Sequence, residues 1–278
     1  MSSEEPVSEP DEELALAAEL LRRAKRVLVL TGAGVSAESG IATFREQGGL
    51  WERYPPERFA TWSGLLGKAV TDPRTLVRFI AEVLAPIARA KPNLAHRAIA
   101  EIEHQALASV VTQNIDGLHQ DAGSAGVRQL HGSLLEVADA HGRLLRRLDR
   151  AELLRIAETV ERAAERRFAL GRALRALWPL AGVSRHGSYR PDVVLFGDAL
   201  RQPDWDDAQR GTEQCDLMIV VGTSALVMPA ASLPQRARAH GAKVILVDPV
   251  RHARADVHLR GKAGERMPAL VRLAYGQA

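Results

Sequence analysis

A strand-like run that empties into a glycine-rich loop constrains this chain more than any other feature. Arg26-Val27-Leu28-Val29-Leu30 reads as a buried parallel strand. It exits into TGAGVSAESGIATFR, residues 31 to 45. In Gly32-Ala33-Gly34 no position carries more than a methyl group, so the backbone there can approach a bound phosphate closely. A dinucleotide site is therefore the first expectation. The spacing departs from G-x-G-x-x-G, and strand-to-helix turns also use glycine for packing alone, so the loop by itself leaves both readings open.

Further apolar runs end in the same way. Ala108-Ser109-Val110-Val111 leads into Thr112-Gln113-Asn114-Ile115-Asp116-Gly117-Leu118-His119, and a short strand at Val127 to Leu130 leads into His131-Gly132-Ser133. Leu217-Met218-Ile219-Val220-Val221 exits into Gly222-Thr223-Ser224, and Val244-Ile245-Leu246-Val247 into Asp248-Pro249. Strands that each end in small, polar or ionisable residues describe the carboxyl edge of an open α/β sheet, where ligands bind.

The ordered set GAGVSAESGIATFR, TQNIDGLH, LHG, RPDVVLFGD and GTSALVMPAASLP resembles the sirtuins, the Sir2-type NAD-dependent protein deacylases. The resemblance runs from about Leu20 to the C-terminus, with one segment excepted. It implies an α/β fold: a Rossmann-like parallel sheet with helices on both faces, plus a small lobe. It also implies NAD as cofactor and acyl-lysine proteins as substrates. In that chemistry an acyl oxygen attacks C1′ of the nicotinamide ribose, nicotinamide leaves, and the products are free lysine and O-acyl-ADP-ribose. The protein mainly supplies positioning, water exclusion and one base.

His131 is the expected base, because an imidazole titrates near neutral pH, and Gly132 behind it is expected to leave room for the ribose. Asn114 and Asp116 join it as the expected catalytic set and form the nicotinamide pocket, where an amide and a carboxylate can pair with a carboxamide. Gln113 is expected at the nicotinamide ribose and His119 as a structural hydrogen-bonder. Phe44 is expected to shield the reacting centre and Arg45 to face phosphate or ribose oxygens. Thr223 and Ser224 offer hydroxyls to the adenosine side. The resemblance adds Gly32, Ala33, Gly34, Ser36, Gly222 and Ala263 to the cofactor-binding set. Asp248 stands where similar sirtuins usually carry asparagine; a carboxylate there can accept from both ribose hydroxyls and reject NADP by charge. A substrate peptide is expected between Phe196-Gly197-Asp198 and the Val227 to Pro229 segment, pairing by β-addition, with Val194, Phe196, Gly197 and Val227 as contacts.

One cysteine, Cys215, excludes an internal disulfide framework and reads as a core residue. No apolar run has the length of a bilayer span. The opening MSSEEPVSEPDEE is acidic, unlike a signal or transit peptide, and reads as a solvated tail over residues 1–11. Cytoplasm is the expected location. A net charge of +3 without a basic stripe of interleaved aromatics argues against nucleic acid. Residues 12–278 then form one catalytic domain, with its core at 12–45, 93–132 and 191–278 and its small lobe at 46–92 and 133–190. Helices are expected at residues 12–24, 73–90 and 93–105, at 229–239 and at 266–273. Trp51, Tyr54, Phe59 and Trp62 serve either small-lobe packing or a substrate cleft.

Two departures from the sirtuin pattern stand out. The family usually holds a structural zinc with two Cys-x-x-Cys pairs. Here those positions fall at Asp139 and Gly142, and near Trp178 and Ala181, which cannot build a tetrahedral thiolate cage. His141, Asp139 and His186 lack ligand spacing, so no metal is expected. A helical stretch over residues 143–177 is expected to take the place of zinc, with Leu144, Leu145, Leu148, Leu153, Leu154 and Ile156 as its apolar stripe. The second departure concerns acyl choice. Desuccinylating sirtuins carry Tyr-x-x-Arg where this chain has Ile80 and Val83. Neither can pair with a carboxylate, so acetyl or longer apolar acyl groups are expected over succinyl or malonyl. Mono-ADP-ribosyltransfer or NAD hydrolysis on the same site, and a non-catalytic NAD-sensing module, remain as alternatives.

Overall fold

The computed structural model describes residues 11–43, 49–165, 169–184, 187–251 and 254–276. The expected tail lies outside them except for Asp11. That residue is ordered: its carboxylate caps the Glu12–Arg23 helix through Leu14 N at 3.1 Å and pairs with Arg266 at 2.5 Å.

Two sheets organise the molecule. The strands of the first are β1 (Val27–Thr31), β2 (Ala108–Thr112), β3 (Val127–Gln129), β8 (Leu217–Val221), β9 (Lys243–Val247) and β10 (Val257–Leu259). They pair in the order β10-β9-β8-β1-β2-β3, all parallel. The period-2 alternation of a strand divides the core into two layers. Val27, Val29, Ile219 and Ile245 pack on the helices Glu12–Arg23, Leu94–Gln105 and Ala263–Tyr275. Leu28, Leu30, Met218, Val220 and Leu246 face the other way, onto Asp204–Gln214 and Leu233–Ala239. The result is the expected Rossmann-like sheet with helices on both faces. Chain order reverses between β1 and β8, which makes that junction the topological switch point.

The second sheet is antiparallel, in the order β5-β4-β7-β6, from β4 (Gly132–Asp139), β5 (Leu144–Arg147), β6 (Gly182–Ser184) and β7 (Gly187–Val193). It differs from the sequence reading in two places. Residues 143–177 are not helical throughout: Leu144 and Leu145 lie exposed on β5, and helices follow at Arg150–Ala164 and Ala169–Leu177. The apolar run Val193-Val194-Leu195-Phe196, whose pattern reads as a strand, leaves the sheet after Val193, so Val194 to Phe196 run to the site. The first misreading has a local cause. An Arg/Leu-rich segment satisfies helical spacing locally, and only pairing with β4 makes Leu144–Arg147 a strand.

Within the small lobe, Leu148, Leu153, Ile156, Val160 and Leu180 are buried against Val77, Leu84 and Ile87 of the Pro73–Arg89 helix and Leu134 and Val137 of β4. The turns at the positions of the absent cysteines close by hydrogen bonds. Asp139 accepts from His141 N at 2.9 Å and Arg143 N at 3.0 Å, and Tyr189 donates its hydroxyl to the Trp178 carbonyl at 2.7 Å. Tyr54, Phe59 and Phe79 form a compact aromatic cluster, with ring centroids 4.9 to 5.1 Å apart. Among the described residues no cluster of three His, Cys, Asp or Glu side chains can hold a metal, and His186 lies outside them. No helix among the described residues is long and apolar enough to cross a membrane.

Candidate active site

The ends of β1, β2, β3 and β8 converge on two adjoining cavities. The first, of about 180 Å³, has Ser36, Asn114, Asp116 and His131 on its polar wall and Ile41, Ile87 and Ile115 among its apolar residues. The second, also about 180 Å³, lies at the switch point between Gly32-Ala33-Gly34 and Gly222-Thr223-Ser224. Ala33, Gln113, Asn114, His131, Phe196 and Val227 line both.

The glycines of the first loop serve the packing purpose that the sequence left open beside close approach to a phosphate. A Cβ on Gly32 would sit 2.7 Å from Thr223 Cβ, and one on Gly34 would sit 2.8 Å from Gly222 Cα. Gly34 N donates to the Gly222 carbonyl at 2.8 Å. Small residues here let two loops touch, and that contact forms the cavity floor. Gly132 has φ +70°, and a Cβ there would lie 1.8 Å from the Asp192 carbonyl oxygen, so the close β4–β7 contact by itself requires glycine at this position.

His131 is half-buried and its Nδ1 lies 2.8 Å from the Gln113 carbonyl. A carbonyl only accepts, so Nδ1 carries the proton of the neutral ring and Nε2 is the basic nitrogen. Burial pushes the imidazole pKa below its ordinary value, against the opposing pull of the Gln113 carbonyl. The ring is thus neutral and competent as a base at neutral pH.

Asn114 and Asp116 are held by a buried polar network. Asn114 Nδ2 donates to the Gly32 carbonyl at 3.0 Å and to Ser36 Oγ at 3.1 Å. Ser36 Oγ donates to Asp116 Oδ2 at 2.8 Å, and Leu118 N donates to Asp116 Oδ1 at 2.9 Å. Burial raises the Asp116 pKa, while these hydrogen bonds and Arg150 oppose the rise. Behind them His119 Nε2 meets Thr31 Oγ1 at 2.9 Å, in the structural role expected of it. Gln113 donates to Thr223 Oγ1 at 2.9 Å, which ties the end of β2 to the loop after β8.

Val194, Phe196, Gly197 and Val227 all line the first cavity, with Met228 and Pro229 facing them. Asp248 and Ala263 sit outside both cavities. Asp248 caps its own turn through Val250 N at 2.9 Å, and Ala263 is buried at the start of its helix. Phe44 and Arg45 lie outside the described residues. Sequence reasoning missed Ile41, Ile87 and Leu200 as lining residues, because an apolar side chain in a cavity has no local signature.

A third cavity, of about 300 Å³, adjoins the first along Val194, Leu195 and Phe196. Trp51, Trp62, Ile80, Val83, Leu134 and Leu177 are among its walls, and its lining carries almost no polar surface. Trp51 and Trp62 therefore serve a cleft, whereas Tyr54 is buried in the small-lobe cluster; Phe59 takes part in both.

Relatives agree with this arrangement. An NAD-dependent protein deacylase of Archaeoglobus fulgidus is 41% identical over 273 residues, covering 94% of this chain and 96% of the relative. A solved Sir2 homologue in complex with NAD superposes with a TM-score of 0.74 at 36% identity, covering 96% of this chain and 94% of the other. A Sir2 protein solved with a myristoylated histone peptide gives 0.67 at 33% identity, covering 95% and 97%. The Sir2 family model matches residues 32–229. From the loop that leaves β1 to the segment that follows β8, this chain matches the Sir2 family, and it is a member of that family.

Proposed function

We infer that this chain is an NAD-dependent protein-lysine deacylase that releases nicotinamide and O-acyl-ADP-ribose. The observation that carries the reading is His131, with Nδ1 pinned to the Gln113 carbonyl and its ring lining both cavities at once. The residues fit the cofactor. The switch-point cavity is floored by glycine backbone and walled by Gln113, Thr223 and Ser224, which suits a dinucleotide. The first cavity sets Asn114 and Asp116 against isoleucines, which suits a flat aromatic carboxamide.

NAD supplies a ribosyl carbon that bears a cationic leaving group. Asn114 and Asp116 orient that end, Gln113 and Thr223 fix the floor, and His131 Nε2 takes up a proton from a hydroxyl presented between the cavities. Phe196 and Val227 flank the entry along which an extended acyl-lysine peptide lies, with β-addition as its mode of docking. Asp248, at the end of β9, supports discrimination against NADP by charge.

The acyl group enters the third cavity. Ile80 and Val83 in its wall support acetyl and longer apolar chains over succinyl or malonyl, because a carboxylate there would be buried without a partner. The helices packed on β4 support a small lobe that needs no zinc, and the single cysteine supports a reducing compartment such as the cytoplasm.

The test is nicotinamide release with acetyl-, myristoyl- and succinyl-lysine peptides, for the wild type and His131→Ala. Peptide-dependent release with O-acyl-ADP-ribose as product, lost in the variant and weak with succinyl-lysine, is the expected result. Release that ignores the peptide would replace deacylation with NAD hydrolysis or ADP-ribosyltransfer. Binding without release would make the chain a sensor.

A further inference from the structure

Arg150 is the first residue of the Arg150–Ala164 helix. That is a poor place for a cation, because the helix N-terminus carries partial positive charge. Asp149 caps the helix through Glu152 N at 2.7 Å, and Glu152 lies in its first turn, so the helix start is satisfied without an arginine. A residue that breaks a local rule is expected to have a tertiary reason.

Its guanidinium makes three contacts, all outside its own helix. Nη2 donates to the Asp116 carbonyl at 2.6 Å, Nη1 to the Ile87 carbonyl at 2.6 Å, and Nε to Asp121 Oδ2 at 2.6 Å. Asp116 and Ile87 are opposite kinds of wall of the same cavity, one polar and one apolar. Asp121 ends the short helix Leu118–Asp121 that follows Asp116. The side chain is 23% exposed, so these bonds are only partly open to water. A planar fork with five donors can hold three acceptors at fixed angles, which a lysine cannot.

We propose that Arg150 is a positioning residue for the nicotinamide pocket, holding the Asp116 loop and the Ile87 wall at a fixed separation from the helical module of the small lobe. This rests on the reading of that cavity as the nicotinamide site. It gives the helical module a part in the reaction: beside apolar packing against Ile87, the module reaches the pocket wall through the Arg150 side chain.

The experiment is calorimetry on the full chain, with ADP-ribose alone and then with nicotinamide added to the ADP-ribose-loaded protein. Loss of three hydrogen bonds at one wall lowers nicotinamide affinity about tenfold in Arg150→Met, while ADP-ribose affinity stays within about twofold. Arg150→Lys recovers part of the loss, and Asp121→Asn, which spares both carbonyl contacts, loses about threefold. An unchanged nicotinamide affinity in Arg150→Met overturns the assignment, as does a parallel loss of ADP-ribose, which marks a purely structural role. If Arg150→Met fails to fold, Arg150→Lys and Asp121→Asn decide the matter, and wild-type nicotinamide affinity in both overturns it. A wild type that does not bind ADP-ribose overturns the dinucleotide reading itself. A wild type that binds ADP-ribose but no nicotinamide overturns the pocket and Arg150 together.

Discussion

The parallel sheet and the small lobe solve the same problem, holding functional groups still, by different means. In the sheet, side chains are fixed by where strands end. Thr31, Thr112 and Val221 close three neighbouring strands, and the residues after them meet at the switch point because the registers align. In the small lobe the strand that ends toward the site, β7, delivers the apolar lining of Val194 to Phe196 and not a polar group. Its contributions are an apolar wall, from Ile80, Val83 and Leu177, and one reaching arginine. A region specified by strand order tolerates little change at its loops. A region specified by packing can exchange a metal for helices, provided the packed volume is kept.

The sharpest way to break this comparison is at His131. His131→Ala should lower turnover by about 10²- to 10⁴-fold with an unchanged melting temperature, as the proposed role of the ring as the base requires. Parallel losses in turnover and melting temperature would make it a structural histidine. Next come matched core truncations. Ile219→Ala in β8 and Leu153→Ala in the small-lobe helix, both fully buried, should each cost about 2–5 kcal/mol in urea unfolding. Only Ile219→Ala should also weaken ADP-ribose binding; equal weakening by both would erase the distinction between the regions.

Acid should act on the sheet side first. His96 and His119 are buried behind Ser36 and Thr31, and burial pushes their pKa values down to about 4 and about 3. Their unfolded values lie near 6.5. Between 6.5 and about 4 the unfolded chain therefore binds more protons than the folded one, so stability falls as pH is lowered through that window. Urea midpoints at pH 7 and pH 5 measure it, and replacing His119 with Gln should flatten the difference. The same direction of shift at His131 places the acid limb of turnover below the ordinary imidazole range. The smallest effect is expected from the lobe's staple: prolonged EDTA treatment should leave the melting temperature unchanged, and a drop that zinc restores would reveal a metal after all.

Much of the site was legible because strand-exit motifs are local. TQNIDGLH places Gln113, Asn114, Asp116 and His119 in one contiguous stretch that begins at a strand end, so no long-range information was needed to group them. Gly32 and Gly34 line the switch-point cavity, and the atoms they make room for belong to a loop nearly two hundred residues away, which local sequence does not name. Leu144 and Leu145 were misplaced because helical spacing and a short edge strand look alike until a partner strand is known.

What the sequence determined by itself was the set of strand ends, the residue types on them and the absence of thiolate pairs. Each is written in a short contiguous stretch and follows from backbone periodicity. Only the tertiary structure decided that Gly132 yields to Asp192, that Ile80 and Val83 share a cavity with Trp51, and that Arg150 reaches the Asp116 carbonyl. The physical reason is that such contacts join segments far apart in the chain, and their geometry exists only once both sheets have packed.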